Sequence, residues 1–360
     1  MIWSLVFLAV GLYILTWGAD LLVRGASRLA LAARVTPLVI GLTIVAFGTS
    51  APELTVSGYS ALTGQADIAL GNVIGSTIFN VLFILGVSAL ITPLAVAQQL
   101  IRFEVPLMIS VACLVGLMAW DGQLSRLDGA MLFLGLVTYL LWAVRQCRTE
   151  SADIAAEYEH EYAALAPPRS RADILKQLGM TILGLIMLVL GSKLFTDGAV
   201  NIARAMGMSE LVIGLTIVAV GTSLPEVATS ISAALKGERD IAVGNAIGSN
   251  LFNMLGVLGA ASFLSPTGMN VPESAIAFDI PVMIAVCVVT LPVLYTGYTI
   301  TRSEGFLLLL YFVAYNGFLL WATHQPNVQT SSGFVALALA IPLGISLLTL
   351  AAVSPLLARK

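Results

Sequence analysis

Two short stretches of this chain carry the groups best suited to chemistry, and each occurs twice. Gly48-Thr-Ser-Ala-Pro-Glu53 returns as Gly221-Thr-Ser-Leu-Pro-Glu226, and Gly71-Asn-Val-Ile-Gly-Ser-Thr-Ile-Phe-Asn80 returns as Gly244-Asn-Ala-Ile-Gly-Ser-Asn-Leu-Phe-Asn253. Together they supply two carboxylates (Glu53, Glu226), the hydroxyls of Thr49, Ser50, Thr222 and Ser223, and neutral oxygens from Ser76, Asn80, Ser249 and Asn253. His and Cys are absent from both motifs. An all-oxygen set with two negative charges suits a hard cation. A large, flexible supply of oxygens fits Ca²⁺ better than small octahedral Mg²⁺, and Na⁺ can use the same atoms.

The proline ahead of each glutamate adds to that supply. Pro52 and Pro225 have no N–H to offer the carbonyls of Gly48 and Gly221, so each helix is expected to kink or unwind there and free backbone oxygens. Irregular backbone at membrane depth is tolerated only beside a cavity or inside protein. Gly71, Gly75, Gly244 and Gly248 are spaced to let the asparagine helices approach the glutamate helices closely. An asparagine alone could be interhelical glue, but its duplication in register with a glutamate motif favours a ligand.

All four stretches lie in long apolar runs. The chain has 360 residues, 58% hydrophobic and 10% charged, against about 25% charged in a soluble domain. Runs of about 20 apolar residues recur from end to end, each able to cross a hydrocarbon core of about 30 Å. Glu53 then lies roughly 22 Å into its helix, near mid-membrane. An ionisable group there costs at least about 2.5 kcal/mol. A bound cation would compensate both acids, whereas two protonated, hydrogen-bonded glutamates would be the structural alternative. No Lys or Arg falls at the same depth, since Lys193 lies toward the outer end of its span.

The duplication extends well beyond the motifs. Gly41 to Gly86 aligns without gaps on Gly214 to Gly259, with 28 of 46 positions identical, which chance does not produce. Upstream, Gly11, Gly18 and Gly25 pair with Gly184, Gly191 and Gly198, so the first helix belongs to the repeat. Downstream, Phe103-Glu104-Val105-Pro106 meets Phe278-Asp279-Ile280-Pro281. The pattern predicts helices near 2–23, 37–62, 68–91, 104–120 and 127–146, then near 174–200, 211–235, 241–264, 278–296 and 303–322. Five helices per copy invert the second copy, which predicts an all-α membrane protein of two inverted-topology repeats. Its segments are a first repeat over 1–146, a cytoplasmic linker over 147–173, a second repeat over 174–323 and an extra C-terminal helix within 324–360.

Charge placement predicts the orientation. With the N-terminus outside, fourteen basic residues, among them Arg24, Arg28, Arg102, Arg145, Lys176, Lys236, Arg239 and Arg302, fall on the cytoplasmic side, against Arg126, Lys193 and Arg204 outside. That split follows the positive-inside rule and places the linker and C-terminus in the cytoplasm. The first run, Ile2 to Leu22, has no basic residue ahead of it and reads as a retained helix rather than a cleaved signal. The linker holds Glu150, Asp153, Glu157, Glu159 and Glu161 but lacks a calcium-loop spacing, so it reads as a solvated connector. Cys113, Cys147 and Cys287 are too scattered for a disulfide framework. Formal net charge is −3, and no basic or zinc-like pattern argues for nucleic acid.

The motif pair resembles the alpha repeats of the calcium/cation antiporter superfamily, in its sodium/calcium exchanger branch. The resemblance covers both halves, from Gly11 to Trp321. It implies that Glu53 and Glu226 bind calcium directly, and that Thr49, Ser50, Thr222 and Ser223 complete calcium and sodium sites. It further implies that Ala46 and Ala219 contribute carbonyls, with Ser76, Asn80, Ser249 and Asn253 nearby, and that the first helix of each half slides to give alternating access. Asn253 stands where potassium-dependent relatives carry Asp, which disfavours potassium coupling. The implied activity is exchange of Na⁺ for Ca²⁺ across a bacterial inner membrane, with no cofactor beyond the transported ions. A proton-coupled calcium antiporter is the nearest rival, because buried glutamates can titrate, and a cation channel is a rival of another class. The motifs lack a His, Lys or Cys partner for catalysis, so an enzyme is not expected.

Overall fold

A computed structural model describes residues 2–33, 37–149, 170–206, 219–295 and 297–322. The expected acidic stretch at 150–169 and the expected eleventh span near 333–353 lie outside these residues, as does the start of the helix expected at 211–235. The chain is mostly helical. Its helices are α1 (Ile2–Ala33), α2 (Leu38–Thr49), α3 (Ala51–Leu62), α4 (Ala66–Ile91), α5 (Leu100–Asp121), α6 (Arg126–Thr149), α7 (Arg171–Ala205), α8 (Ala219–Thr222), α9 (Leu224–Leu235), α10 (Arg239–Leu264), α11 (Ala275–Tyr295) and α12 (Arg302–Ala322). Among the described residues seven helices are long and apolar enough to cross a membrane, or eight when the pair α2 and α3, bent by 46°, is taken as one span.

Helix starts follow from local capping. Ser125 and Asp128 exchange bonds at the start of α6, with Ser125 N–H donating to the carboxylate at 2.8 Å and Asp128 N–H donating to Ser125 Oγ at 3.2 Å. Thr301 and Glu304 do the same for α12, at 2.8 and 3.3 Å, and Ser170 and Asp173 for α7, both at 3.1 Å. Each exchange satisfies donors that a helix start would otherwise leave open.

The chain divides into two compact units, each drawing on both halves of the sequence. The first comprises residues up to Glu53 together with Leu136–Ser249. Its frame is the antiparallel pair of α1 and α7, which meet along glycines seven residues apart. A Cβ on Gly18 would lie 3.0 Å from the Gly184 carbonyl oxygen, and one on Gly184 would lie 2.8 Å from that of Gly18. Gly11 and Gly191 stand in the same relation at 2.8 and 3.0 Å. Seven residues are close to two helical turns, so the glycines form one stripe and the backbones touch. The opposite faces carry exposed apolar side chains, including Leu5, Leu12 and Trp17 on α1 and Leu175, Ile182 and Ile186 on α7, a surface suited to lipid rather than water.

Within the same unit α2 lies against α10. A Cβ at Gly248 would lie 2.8 Å from Leu42 Cα and 2.9 Å from Ala46 Cβ, and one at Gly244 would lie 3.0 Å from the Leu38 oxygen. These two glycines therefore do what the spacing predicted. Gly71 and Gly75 have no such close neighbour among the described residues.

The second unit comprises Leu54–Gly135 and the residues from Asn250 onward. Here α4 packs on α12 through Gly86 and Gly305, and α6 packs on α10 through Gly129 and Gly259. Phe79, Phe83 and Phe312 form an aromatic cluster with ring centroids 4.7 to 5.4 Å apart. Among the described residues four two-residue strands join the loops: β1 (Leu94–Ala95) pairs antiparallel with β4 (Thr299–Ile300), and β2 (Gln123–Leu124) with β3 (Met269–Asn270). Two residues cannot display a strand's alternation, so the all-helical expectation had no means of including them.

Candidate ion-binding site

Both glutamates sit just after a break in their helix. Ser50 ends α2 at φ −80°, ψ 7°, and Ser223 precedes α9 at φ −88°, ψ 7°, the sparsely populated bridge region that interrupts helical hydrogen bonding. The cause is the proline two residues on, which cannot donate to the Gly48 or Gly221 carbonyl. The expectation that both carbonyls stay free is corrected for one of them. Ser192, on α7, donates its hydroxyl to the Gly221 oxygen at 2.5 Å. At the corresponding place in the first copy the residue is Ala19, which has no hydroxyl.

Glu53 and Glu226 are fully buried, and each is held by the serine of the other copy. Ser223 Oγ donates to Glu53 Oε1 at 2.8 Å, and Ser50 Oγ donates to Glu226 Oε1 at 3.2 Å. Ser249 Oγ also donates to Glu226 Oε1, at 3.4 Å. Glu226 Oε2 is buried and accepts no hydrogen bond among the described residues. Thr49, Ser50, Thr222, Ser223 and Ser249 are buried polar groups, and Ala46 is a buried apolar one. Ala219 opens α8. Thus the first unit gathers Ala46, Thr49, Ser50, Glu53, Ala219, Thr222, Ser223, Glu226 and Ser249.

Ser76, Asn80 and Asn253 belong to the second unit, and all three are buried. Asn80 opens a π-helical turn, Asn80–Leu85, in α4, and Asn253 lies in another, Phe252–Val257, in α10. Such turns recur at functional sites because they widen the helix and shift the side chains it presents. Asn80 Nδ2 donates to Asn250 Oδ1 at 3.0 Å, and Asn250 Nδ2 donates to the Met108 sulfur at 3.4 Å. The Asn80 oxygen and both amide atoms of Asn253 have no hydrogen-bond partner among the described residues.

No group of three or more His, Cys, Asp or Glu suited to a metal occurs among the described residues. Two buried carboxylates bonded by hydroxyls can hold a labile hard cation but not a thiolate- or imidazole-bound metal.

The sodium/calcium exchanger protein family matches residues 3–145 and 176–321, most of the chain and both of its halves. The chain belongs to the sodium/calcium exchanger family. A putative antiporter, CaxA, from Alkalimonas amylolytica is 42% identical over 320 residues, covering 88% of this chain and 98% of the relative. The inner membrane protein YrbG of Escherichia coli is 39% identical over 290 residues, covering 80% and 88%. The solved sodium-calcium exchanger NCX_Mj, soaked with 10 mM Na⁺ and 10 mM Sr²⁺, superposes with a TM-score of 0.75 at 32% identity, over 88% of this chain and 98% of that one. As a member of the sodium/calcium exchanger family the chain is an integral membrane protein of the cation/calcium antiporter class.

Three buried polar features were not singled out from sequence. Asn245 and Asn72, the second residues of the duplicated asparagine motifs, are buried and bonded to serines on the glutamate helices: Asn245 Nδ2 to Ser230 Oγ and Asn72 Nδ2 to Ser57 Oγ, both at 2.9 Å. Their duplication was the available signal. Asn250 and Ser192 had none, because Thr77 and Ala19 stand at the matching positions.

Proposed function

We propose that this chain exchanges Na⁺ for Ca²⁺ across the bacterial inner membrane by alternating access. Glu53 and Glu226 hold calcium, and Thr49, Ser50, Thr222, Ser223, Ser76, Asn80, Ser249 and Asn253, with the carbonyls of Ala46 and Ala219, complete the calcium and sodium positions. The observation that carries this reading is the reciprocal bonding of two fully buried carboxylates, Ser223 to Glu53 and Ser50 to Glu226. Two fully buried carboxylates that accept hydrogen bonds from the neutral hydroxyls of Ser223, Ser50 and Ser249 carry charge that a cation would compensate. The open Oε2 of Glu226 adds an acceptor to the same account.

Obligate exchange follows from the charge. A site with both carboxylates ionised and empty is too costly to seal from water, whereas one Ca²⁺ or several Na⁺ neutralise it. Only loaded carriers change access, and inward sodium movement then drives calcium out. The two sequence copies lie in the membrane in opposite senses, with the N-terminus outside and the linker and C-terminus in the cytoplasm. The antiparallel run of α1 and α7, one from each copy, supports that arrangement, as does basic-residue placement. The name of the Escherichia coli relative supports the inner membrane.

The test is radioactive calcium uptake into proteoliposomes under an imposed sodium or proton gradient. Uptake driven by sodium is the expected outcome. Uptake of equal size driven by protons alone would replace sodium coupling with proton coupling, and single-channel currents would replace exchange with a channel.

A further inference from the structure

We propose that Asn245 is a positioning residue that accepts the hydrogen bond of the Thr49 hydroxyl, so that Thr49 and the Ala46 carbonyl present lone pairs to the transported cation. The proposal rests on the antiporter reading of the site. It starts from the orientation of one buried amide. Asn245 is fully buried on α10, and its Nδ2 lies 3.3 Å from the Glu226 main-chain oxygen and 2.9 Å from Ser230 Oγ. A carbonyl oxygen can only accept, so the NH₂ group faces it and the amide oxygen points the other way.

On that other side stands Thr49 Oγ1, 3.1 Å from Asn245 Oδ1. Two oxygens share one proton there, and only the hydroxyl has one to give. The Thr49 hydroxyl has competing acceptors in the Glu226 carboxylate and in the Ala46 carbonyl, the latter at 3.3 Å, and the Ser249 hydroxyl lies at 3.5 Å. The Ala46 oxygen already accepts the Ser50 N–H at 3.0 Å. If the Thr49 proton also went to it, both of that carbonyl's lone pairs would be occupied. With the proton committed to Asn245, one carbonyl lone pair stays open, and the hydroxyl dipole turns its negative end away from α10. A cation is attracted to lone pairs and repelled by an O–H proton, so Asn245 sets the sign of two ligands without touching the ion.

The anchoring half of this arrangement occurs in the other copy as well. Asn72 Nδ2 donates to Ser57 Oγ at 2.9 Å, and Ser57 and Ser230 donate to the oxygens of Ala69 and Ala242, each at 3.4 Å. The same amide, held by the same serine in both copies, marks a built feature rather than an accident of packing.

The experiment is radioactive calcium binding to detergent-purified full-length protein, for Asn245→Ala and Asn245→Asp beside wild type, with Tm recorded for each. Asn245→Ala loses the acceptor and raises the calcium Kd about tenfold, the worth of one hydrogen bond to a ligand. Asn245→Asp keeps an oxygen facing Thr49 but loses the NH₂ donor, so it binds calcium within about threefold of wild type or more tightly while Tm falls. If Asn245→Asp weakens binding as much as Asn245→Ala, the donor side alone matters and the proposal is overturned. An unchanged Kd in Asn245→Ala overturns it too. Sodium-driven flux of the wild type is measured separately, so a failure of exchange is told apart from a failure of this assignment.

Discussion

The Ser192 hydroxyl lies 2.5 Å from the main-chain oxygen of Gly221, the carbonyl that Pro225 leaves without its helical donor. The second copy thus repairs its proline break with a side chain from α7, while the first copy has Ala19 at the matching position. The two breaks share backbone angles and differ in who satisfies them.

Removing that hydroxyl should be costly for its size. Ser192→Ala leaves a buried carbonyl without a donor and is expected to cost about 1–3 kcal/mol. Thermal unfolding in detergent checks it, and a Tm equal to wild type would show that the bond contributes nothing.

Neutralising either acid should separate transport from folding. Glu53→Gln and Glu226→Gln keep the side-chain shape and remove one buried charge, so Tm is expected to hold or rise, since buried charges destabilise when unpaired. Sodium-driven calcium uptake should fall at least about 100-fold, as expected when a fully desolvated charge on a divalent ion is lost. Flux of wild-type size in the double variant would remove both residues from the site.

The glycine seam gives a sharper contrast. Gly18→Val places a Cβ 2.9 Å from Met187 Cβ and 3.0 Å from both the Gly184 oxygen and Leu188 N. Separation of α1 from α7 and loss of folded protein on size-exclusion chromatography are expected, at a cost of about 3 kcal/mol or more. Gly179→Ala, on the same α7 with nothing within 4 Å of its Cβ among the described residues, should instead stabilise by up to about 1 kcal/mol through helix propensity.

A charged contact between α1 and the end of α9 should matter less. Lys236 Nζ lies 2.7 Å from an Asp20 carboxylate oxygen and 2.9 Å from the Asp20 main-chain oxygen, and Arg24 Nε lies 2.9 Å from the other carboxylate oxygen. Burial and the neighbouring Arg24 pull the Lys236 ammonium below its usual pKa, although Asp20 opposes them. Because the groups are partly exposed, Lys236→Met is expected to lower stability by only about 0.5–1 kcal/mol, and salt should shrink the difference. A loss that salt leaves unchanged would point to packing of the lysine stem instead.

The glutamate motifs, the helix breaks beside them and the close approach at Gly244 and Gly248 were legible from sequence for the same reason. Each is written twice, and each rests on a residue with a strong local rule: proline lacks an N–H, glycine lacks a Cβ, and an acid resists an apolar run. Other features had no such mark. Asn80 and Asn253 were placed on plain helices, because a π-helical turn depends on how neighbours draw the backbone and leaves no signature in composition. The bond from Ser192 joins residues 29 apart in the chain, and the pairing of β1 with β4 joins one half of it to the other. Neither has a period or spacing to detect. Asn245 was visible as a duplicated residue, but which way its amide faces is decided by Glu226's backbone.

The seam between α1 and α7 bears on how this protein can change over time. At Gly18 and Gly184 the atom opposing any added side chain is the other helix's own main chain. Ordinary cores drift by paired exchanges, one residue growing as its neighbour shrinks. A peptide carbonyl cannot shrink, so a second-site suppressor of Gly18→Val should never arise at position 184, and selection for revertants should recover only glycine or alterations remote from the contact.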